Sequence, residues 1–428
     1  MDWQAGPQAE VMVCLSLAEL APPALSAVCA FLPAADAAVA ACACRALRAA
    51  VRDEQAWEAR CKAELQLRER GAAGSWQAAY VEVAQGAAAR EGGVAATVHA
   101  RGLVAALRDW CAQHAPEIGA SLRAGLSENE IQLDEEAHSQ RLPAALYHLY
   151  RAVGGQQLLW DDEVVAPQMR HEEPGAVEPH PSVLQGVFGS YAVYDHVVST
   201  RLLTLPLARR VTRFLVSQGA LPRELVGEDI DDPRCLVFAA SFNLQKMFAV
   251  SLDTGDVLVN TRQPNRPWLS AAPPVGNGAL TLLGWLENYV QKLCVDYLAA
   301  QKMDTADFFG PELGVVTVIS LFPEGGPSSS EATSEGVRVR CGALFMPEVS
   351  QQGDMHLFSY RLRMAIAEGC EKTVQLRSRR WKFTDDGSPA QDQTASGPGV
   401  IGKYPILRPG LERDFEYCSQ CSLRGFSG

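Results

Sequence analysis

The spacing of apolar residues changes along this chain, and that change rules out a single repeated architecture. Near the N-terminus Leu25, Val28, Cys29 and Leu32 recur at intervals of three and four, which is one face of a helix. Far downstream Phe358, Tyr360, Leu362, Met364 and Ile366 alternate with Ser359, Arg361, Arg363 and Ala365. That is the period of a half-buried strand. The sequence between them mixes both patterns. A chain with three such textures folds as several domains, and 428 residues leave room for two to four of them.

The first block, residues 14–83, is helical and rich in alanine. Asp36 and Asp53 stand where N-caps belong, and Trp57, Cys61 and Leu65 share one face of the helix after Asp53. Residues 86–93 are small and polar and read as a linker. The second block, residues 94–322, is α+β. Ser127-Glu128-Asn129-Glu130 is a capping box before Ile131. Pro143 opens a helix whose face carries Leu146, Leu149, Tyr150 and Val153, and Gly154-Gly155 ends it. Strands follow at 236–242, 247–252 and 257–259, with Asp253-Thr254-Gly255-Asp256 as a turn and a last helix over 280–298. Residues 323–336, rich in Pro, Gly, Ser and Glu, read as a flexible linker or loop. The third block, 337–428, is nearly all β, with a strand over 374–383 and regularly spaced turns that predict a sandwich.

The formal net charge of −12 argues against general binding to nucleic acid or anionic membranes. No basic segment leads into an apolar run at the N-terminus, and no stretch reads as a membrane span of roughly 20 residues. Twelve scattered cysteines without a signal peptide read as reduced thiols, which places the chain in cytoplasm, nucleus or both.

Several motifs carry chemistry on paper. Gly397-x-Gly399-x-x-Gly402 has the dinucleotide-binding spacing, but Pro405 and Pro409 follow at once, so no helix can start beneath it. The residues read as a glycine-rich β-connection, with an anion-binding nest of backbone amides as the sharper alternative. Arg377, Arg379, Arg380 and Lys382 surround Trp381. Strand geometry puts Arg377, Arg379 and Trp381 on one face and Arg380 and Lys382 on the other, so solvated charge is favoured over nucleic-acid contact. Cys418-x-x-Cys421 has no second pair, and His171, Glu172, Glu173 and His180 lie in a proline-rich polar stretch. Neither pattern supplies a zinc ligand set, so no metal or cofactor is expected. No hydrolase elbow, kinase or P-loop signature occurs, which agrees with a non-catalytic role.

The residues Leu20, Leu25, Val28, Phe31, Leu32, Asp36, Cys44, Arg45, Leu47, Trp57 and Cys61 resemble an F-box. Trp110, Pro116-Glu117-Ile118, Leu142-Pro143, Tyr150 with Gly154-Gly155-Gln156, Phe188-Gly189-x-Tyr191-x-x-Tyr194-Asp195 and Trp285 resemble a SUKH (SMI/KNR-type) domain. Val337–Arg340, Pro347-Glu348, Tyr360-x-Leu362-x-Met364, Leu376-x-x-Arg379-Arg380-Trp381, the 397–410 run and Phe415-x-Tyr417 resemble ApaG. In this order the three blocks are similar to F-box–SUKH–ApaG proteins, plant Skp-interacting F-box proteins among them. The ApaG pattern continues beyond Gly428 in the family, so the chain reads as short at that end.

The resemblance implies a multidomain protein: an all-α F-box, an α+β SUKH domain and an all-β ApaG sandwich of the fibronectin type III kind. It implies a substrate-recognition subunit of an SCF-type E3 ubiquitin ligase, with no catalysis of its own. Its partners would be a Skp-family adaptor, through that a cullin–RING ligase, and an unknown protein substrate. Leu20, Pro22, Leu25, Val28, Phe31, Leu32 and Trp57 would meet the adaptor. The alternative is a small-anion or nucleotide sensor built on the ApaG loop, at Gly397, Gly399, Gly402, Arg379 and Trp381.

Overall fold

The structure is a computed structural model, which describes residues 53–71, 73–157, 181–227, 233–263, 266–272, 280–306, 314–351, 355–383, 393–400, 402–411 and 414–423. The expected N-terminal helices before residue 53, with Leu20, Pro22, Leu25, Val28, Phe31 and Leu32, and the stretch holding His171, Glu172, Glu173 and His180 lie outside the described residues. The chain forms two compact units. One is residues 1–102 with 127–130, and the other is residues 103–126 with 131–428.

The first unit holds α1 (Glu54–Leu65), α2 (Trp76–Ala88) and the start of α3 (Gly93–His114). Asp53 caps α1, its side chain accepting from the Gln55 amide at 3.0 Å. Trp57, Cys61 and Leu65 are all buried on one face, as their four-residue spacing predicts. Ser75 caps α2 through the Ala78 amide at 3.0 Å. The two helices pack through Trp57 against Tyr80, with ring centroids 5.3 Å apart, and the Cys61 thiol donates to the Trp76 carbonyl at 3.3 Å. The linker expected over 86–93 is shorter than its composition suggests. Residues 86–88 finish α2 and α3 begins at Gly93, because Ala87 is fully buried and holds the last turn down.

The second unit continues with the rest of α3, α4 (Pro116–Ala120), α5 (Glu128–His138, whose first turn belongs to the first unit) and α6 (Ala144–Ala152). The capping box closes as predicted. The Glu130 amide donates to Ser127 Oγ at 3.2 Å, and the Ser127 amide donates to the Glu130 carboxylate at 2.7 Å. Pro143 is the residue before the helix rather than its first. Then come β1 (Ser190–Val193), β2 (His196–Leu202), α7 (Leu205–Ser217), β3 (Cys235–Ser241), β4 (Met247–Ser251), β5 (Val257–Val259), β6 (Leu269–Ser270), α8 (Thr281–Cys294), β7 (Ala299–Asp304) and β8 (Val315–Ser320).

These strands form one sheet in the order β6-β5-β4-β3-β2-β1-β8-β7, antiparallel throughout except for the β1–β8 contact. The helices bury its apolar residues. Trp285 of α8 packs on Phe188, Phe248 and Phe238, with centroids 5.0–5.6 Å apart, and Tyr289 donates to the Val187 carbonyl at 2.8 Å. Aromatic side chains of this size carry much of a core's hydrophobic free energy.

The remaining strands are β9 (Ser329–Ser334), β10 (Val337–Phe345), β11 (His356–Ile366), β12 (Val374–Gln375), β13 (Ser378–Phe383), β14 (Gln393–Pro398), β15 (Ile406–Leu407) and β16 (Phe415–Leu423). They form a four-stranded sheet, β16-β11-β10-β9, facing two short ladders, β12–β15 and β13–β14. Tyr360, Leu362, Met364, Val400, Leu407 and Tyr417 fill the space between the layers. This is the predicted all-β sandwich, with two differences. The stretch 374–383 is two strands rather than one, since Leu376 bonds to Pro405 and the chain changes partner there. And Ser329–Ser334, within the stretch read as a linker, is an edge strand paired along its length with β10. Its polar composition suits an exposed sheet edge as well as it suits a loop.

The eight-stranded sheet and the sandwich share a core within the second unit. Tyr191, Val193, Val198 and Phe322 pack with Met346, and with the partly buried Leu344, Leu357 and Cys418. Around that apolar contact stand two buried polar groups. Glu348 lies 3.2 Å from His196 Nε2 and 3.3 Å from Lys246 Nζ. Arg361 bonds Glu324 at 2.6 Å, Ser320 at 3.1 Å and also Gln301, while Arg363 takes the other Glu324 oxygen.

Candidate functional site

A groove of about 400 Å³ opens on the sandwich between β16 and the β13–β14 hairpin. Its floor is Tyr360 and Leu357 of β11, with Tyr360 and Trp381 in contact, their centroids 4.9 Å apart. One wall is Arg379 and Trp381 of β13 with Ala395 and Ser396 of β14. The other is four consecutive residues of β16, Ser419, Gln420, Cys421 and Ser422. Side chains alternate along a strand, so four neighbours can line one groove only along the strand's edge. β16 is the outermost strand of its sheet, and among the described residues its far edge pairs with no strand.

Arg379 and Trp381 share a face because they stand two apart on β13, as the sequence predicts, while Arg380 and Lys382 are exposed on the opposite face. The Arg379 guanidinium lies across Gly397, its register partner, and donates from Nη1 to the Gly399 carbonyl at 2.7 Å. Its Nε and Nη2 make no hydrogen bond among the described residues. Tyr360 has its hydroxyl pushed above the usual range, chiefly by burial, with Ser419 hydrogen bonding opposing. At one end of the groove the Tyr194 hydroxyl, from the β1–β2 turn, meets Ser419 Oγ at 2.8 Å.

The glycine loop serves the turn. The Gly399 amide donates to Arg377 O, and Val400 and Lys403 exchange both of their backbone hydrogen bonds, all at 2.8 Å. Gly399 has φ +51°, and a Cβ there would stand 2.4 Å from the Lys403 carbonyl. Gly402 has φ +73° and faces open space. The amides of Gly399 and Val400, which an anion nest would use, are therefore already engaged. Among the described residues no helix follows the Gly-x-Gly-x-x-Gly spacing, as the prolines require.

Cys418 and Cys421 sit on β16 with their side chains on opposite faces. Cys418 packs with Tyr191 and Phe322, and Cys421 packs with Tyr360 and Leu362. They cannot chelate one ion or form one disulfide. Burial pushes the Cys418 thiol up to about 12, which makes it a poor nucleophile. Trp57 is only 5% exposed, with Arg60 stacked 4.9 Å over its ring. It is a core residue of its unit. Ser396, Ser419, Gln420 and Ser422 belong to no motif, and Tyr194 belongs only to the SUKH-like pattern; they meet only when three distant segments come together.

The ApaG domain family model matches residues 347–428. Protein ApaG of Methylocella silvestris is 37% identical over 97 residues, which is 23% of this chain and 71% of that protein. F-box protein SKIP16 of Arabidopsis thaliana is 29% identical over 345 residues, 75% of this chain and 70% of that protein. F-box only protein 3 of Homo sapiens is 35% identical over 100 residues, 23% of this chain and 20% of its own length. Through its C-terminal sandwich this chain belongs to the ApaG family, and along three-quarters of its length it is similar to an F-box protein.

Proposed function

We propose that this chain is the substrate-recognition subunit of an SCF-type E3 ubiquitin ligase. The observation that carries the reading is the likeness to an F-box protein over 75% of the chain, beside the ApaG domain matched at residues 347–428. The N-terminal segment docks a Skp-family adaptor through Leu20, Pro22, Leu25, Val28, Phe31 and Leu32, and the adaptor brings a cullin–RING ligase. Trp57, buried against Tyr80, acts by holding the first unit's helices together rather than by touching the adaptor. The SUKH-like α+β part and the ApaG sandwich present the target.

The chain contributes proximity and no chemical step of its own, so the rate at a target lysine rises through effective concentration. The activity belongs to cytoplasm, nucleus or both. A second reading, a small-anion or nucleotide sensor, draws on Arg379 in the groove wall. It is the weaker of the two, because the loop amides that would complete an anion site are taken by backbone carbonyls. The test is reconstitution with adaptor, cullin and RING subunits. Co-migration of all four in gel filtration supports the ligase reading, and failure to enter the assembly refutes it.

A further inference from the structure

We propose that His196 is a proton-operated latch on the seam between the eight-stranded sheet and the sandwich: the neutral imidazole keeps the sandwich seated, and the imidazolium loosens it. The device belongs to the fold and does not depend on the ligase reading.

His196 opens β2 directly across from Val193 of β1, so it shares the sheet face that carries Tyr191 and Val198. The sandwich covers that face with Met346 and Leu357. Glu348 reaches in from the sandwich, on the short helical turn Pro347–Val349, and Lys246 from the residue just before β4. His196 Nε2 lies 3.2 Å from a Glu348 oxygen and 3.2 Å from the Tyr191 hydroxyl. Lys246 Nζ lies 3.3 Å from the other Glu348 oxygen and 5.5 Å over the Tyr191 ring. One histidine therefore touches both sides of the seam.

Charge decides what a proton does there. Glu348 and Lys246 are both buried, and as an ion pair or with the proton passed between them they carry no net charge. A proton on His196 adds a cation that nothing buried balances. Asp195, in the β1–β2 turn, is the remaining carboxylate beside it, and its exposure leaves its attraction screened by water. Cys418 enters the seam from β16 as a neutral thiol, pushed up to about 12 by burial. Arg361 stands beyond Phe322, its guanidinium 5.3 Å over that ring, and is answered by Glu324. Arg262, whose amide reaches Ser350, has its side chain exposed. Burial first, and then repulsion from Lys246, hold the imidazole below its ordinary 6.5, while Asp195 opposes. An imidazolium also donates from both nitrogens, and His196 Nδ1 has no acceptor among the described residues.

A histidine lowered in the folded state contributes stability above its unfolded value. It loses that stability as pH falls from 6.5 toward the folded value. The loss falls on the contacts around it, Tyr191, Val198, Phe322 and Met346. The ring is 13% exposed, so protons reach it without prior unfolding. The Glu324 carboxylate, held below 4.5, stays ionised across this window and is not the group that responds.

The experiment is hydrogen exchange of the full-length chain, read by mass spectrometry as protection factors, which remove the intrinsic pH dependence of exchange. Peptides covering β1–β2 and the Pro347–Val349 turn report the seam, and those covering α7 report the sheet unit away from it. Between pH 7 and about pH 5.5 the seam peptides should lose about threefold or more in protection, and α7 should not change. His196→Gln should flatten the seam profile. Lys246→Met should invert it, because the imidazolium then becomes the counter-ion of Glu348 and protection rises on acidification. A flat seam profile in the parent, an equal fall in α7, or the same fall in His196→Gln would overturn the proposal. The parent's profile needs no altered protein, so a variant that fails to fold leaves the test decisive.

Discussion

Glu348 and Lys246 are the most consequential pair of residues in the seam between sheet and sandwich. The carboxylate is fully buried and the ammonium nearly so, 3.3 Å apart. Burial pushes the Glu348 carboxyl up and the Lys246 ammonium down, each toward its neutral form, while the two stand at ion-pair distance. Such a pair contributes little net stability, yet breaking it strands a charge in a low-dielectric site. Glu348→Gln is expected to cost about 3 kcal/mol, measured by chemical denaturation. The double variant Glu348→Leu with Lys246→Met should recover most of that loss. Equal additive losses would show the two side chains to be independent. No sequence pattern announces this pair, because 102 positions separate its members and each alone reads as a surface charge.

Strand β11 shows how far an element can be read from its own residues. Its alternation is clear in the sequence, and Tyr360, Leu362 and Met364 do face the sandwich core. The other face, Ser359, Arg361 and Arg363, reads as solvated. It is instead covered: Ser359 and Arg361 are buried, and Glu324, Gln301 and Ser320 receive the guanidinium of Arg361. Periodicity reports which face is apolar, but not whether a polar face meets water or a charged partner. The candidate site divides the same way. The shared face of Arg379 and Trp381 follows from their spacing, whereas the edge of β16 is visible only once strand order is known. The turn after β14 was legible as glycine-rich, and its geometry explains why. Gly399→Ala would meet the Lys403 carbonyl in a left-handed conformation, and should cost about 2 kcal/mol in thermal or chemical denaturation. Gly402→Ala meets open space and should cost about 1 kcal/mol, the conformational penalty alone. Equal effects at the two positions would contradict the turn described here.

For the molecule as a whole, sheet and sandwich behave as one body only while the seam holds. Burial raises the Glu324 carboxyl, but Arg361 and Arg363 outweigh burial and hold it below its ordinary value of 4.5. A carboxylate depressed in the folded state contributes stability above its unfolded pKa and loses it as pH falls through the folded one. Acidification below about 4.5 should therefore loosen the seam. Glu324→Gln should melt lower than the parent at pH 7 and lose less on acidification, so that the two melting curves converge. Parallel pH profiles would mean that Glu324 is not the group responsible.

In the proposed function this body presents targets to a ligase through an adaptor docked on the N-terminal segment. An affinity titration of the full-length chain against a Skp-family adaptor, beside Leu32→Asp, tests it most directly. A charge in place of a buried apolar anchor costs several kcal/mol, enough to abolish a micromolar complex. The parent should bind at micromolar affinity or tighter, and Leu32→Asp should not bind. Absence of binding by the parent, or equal binding by both proteins, would contradict it.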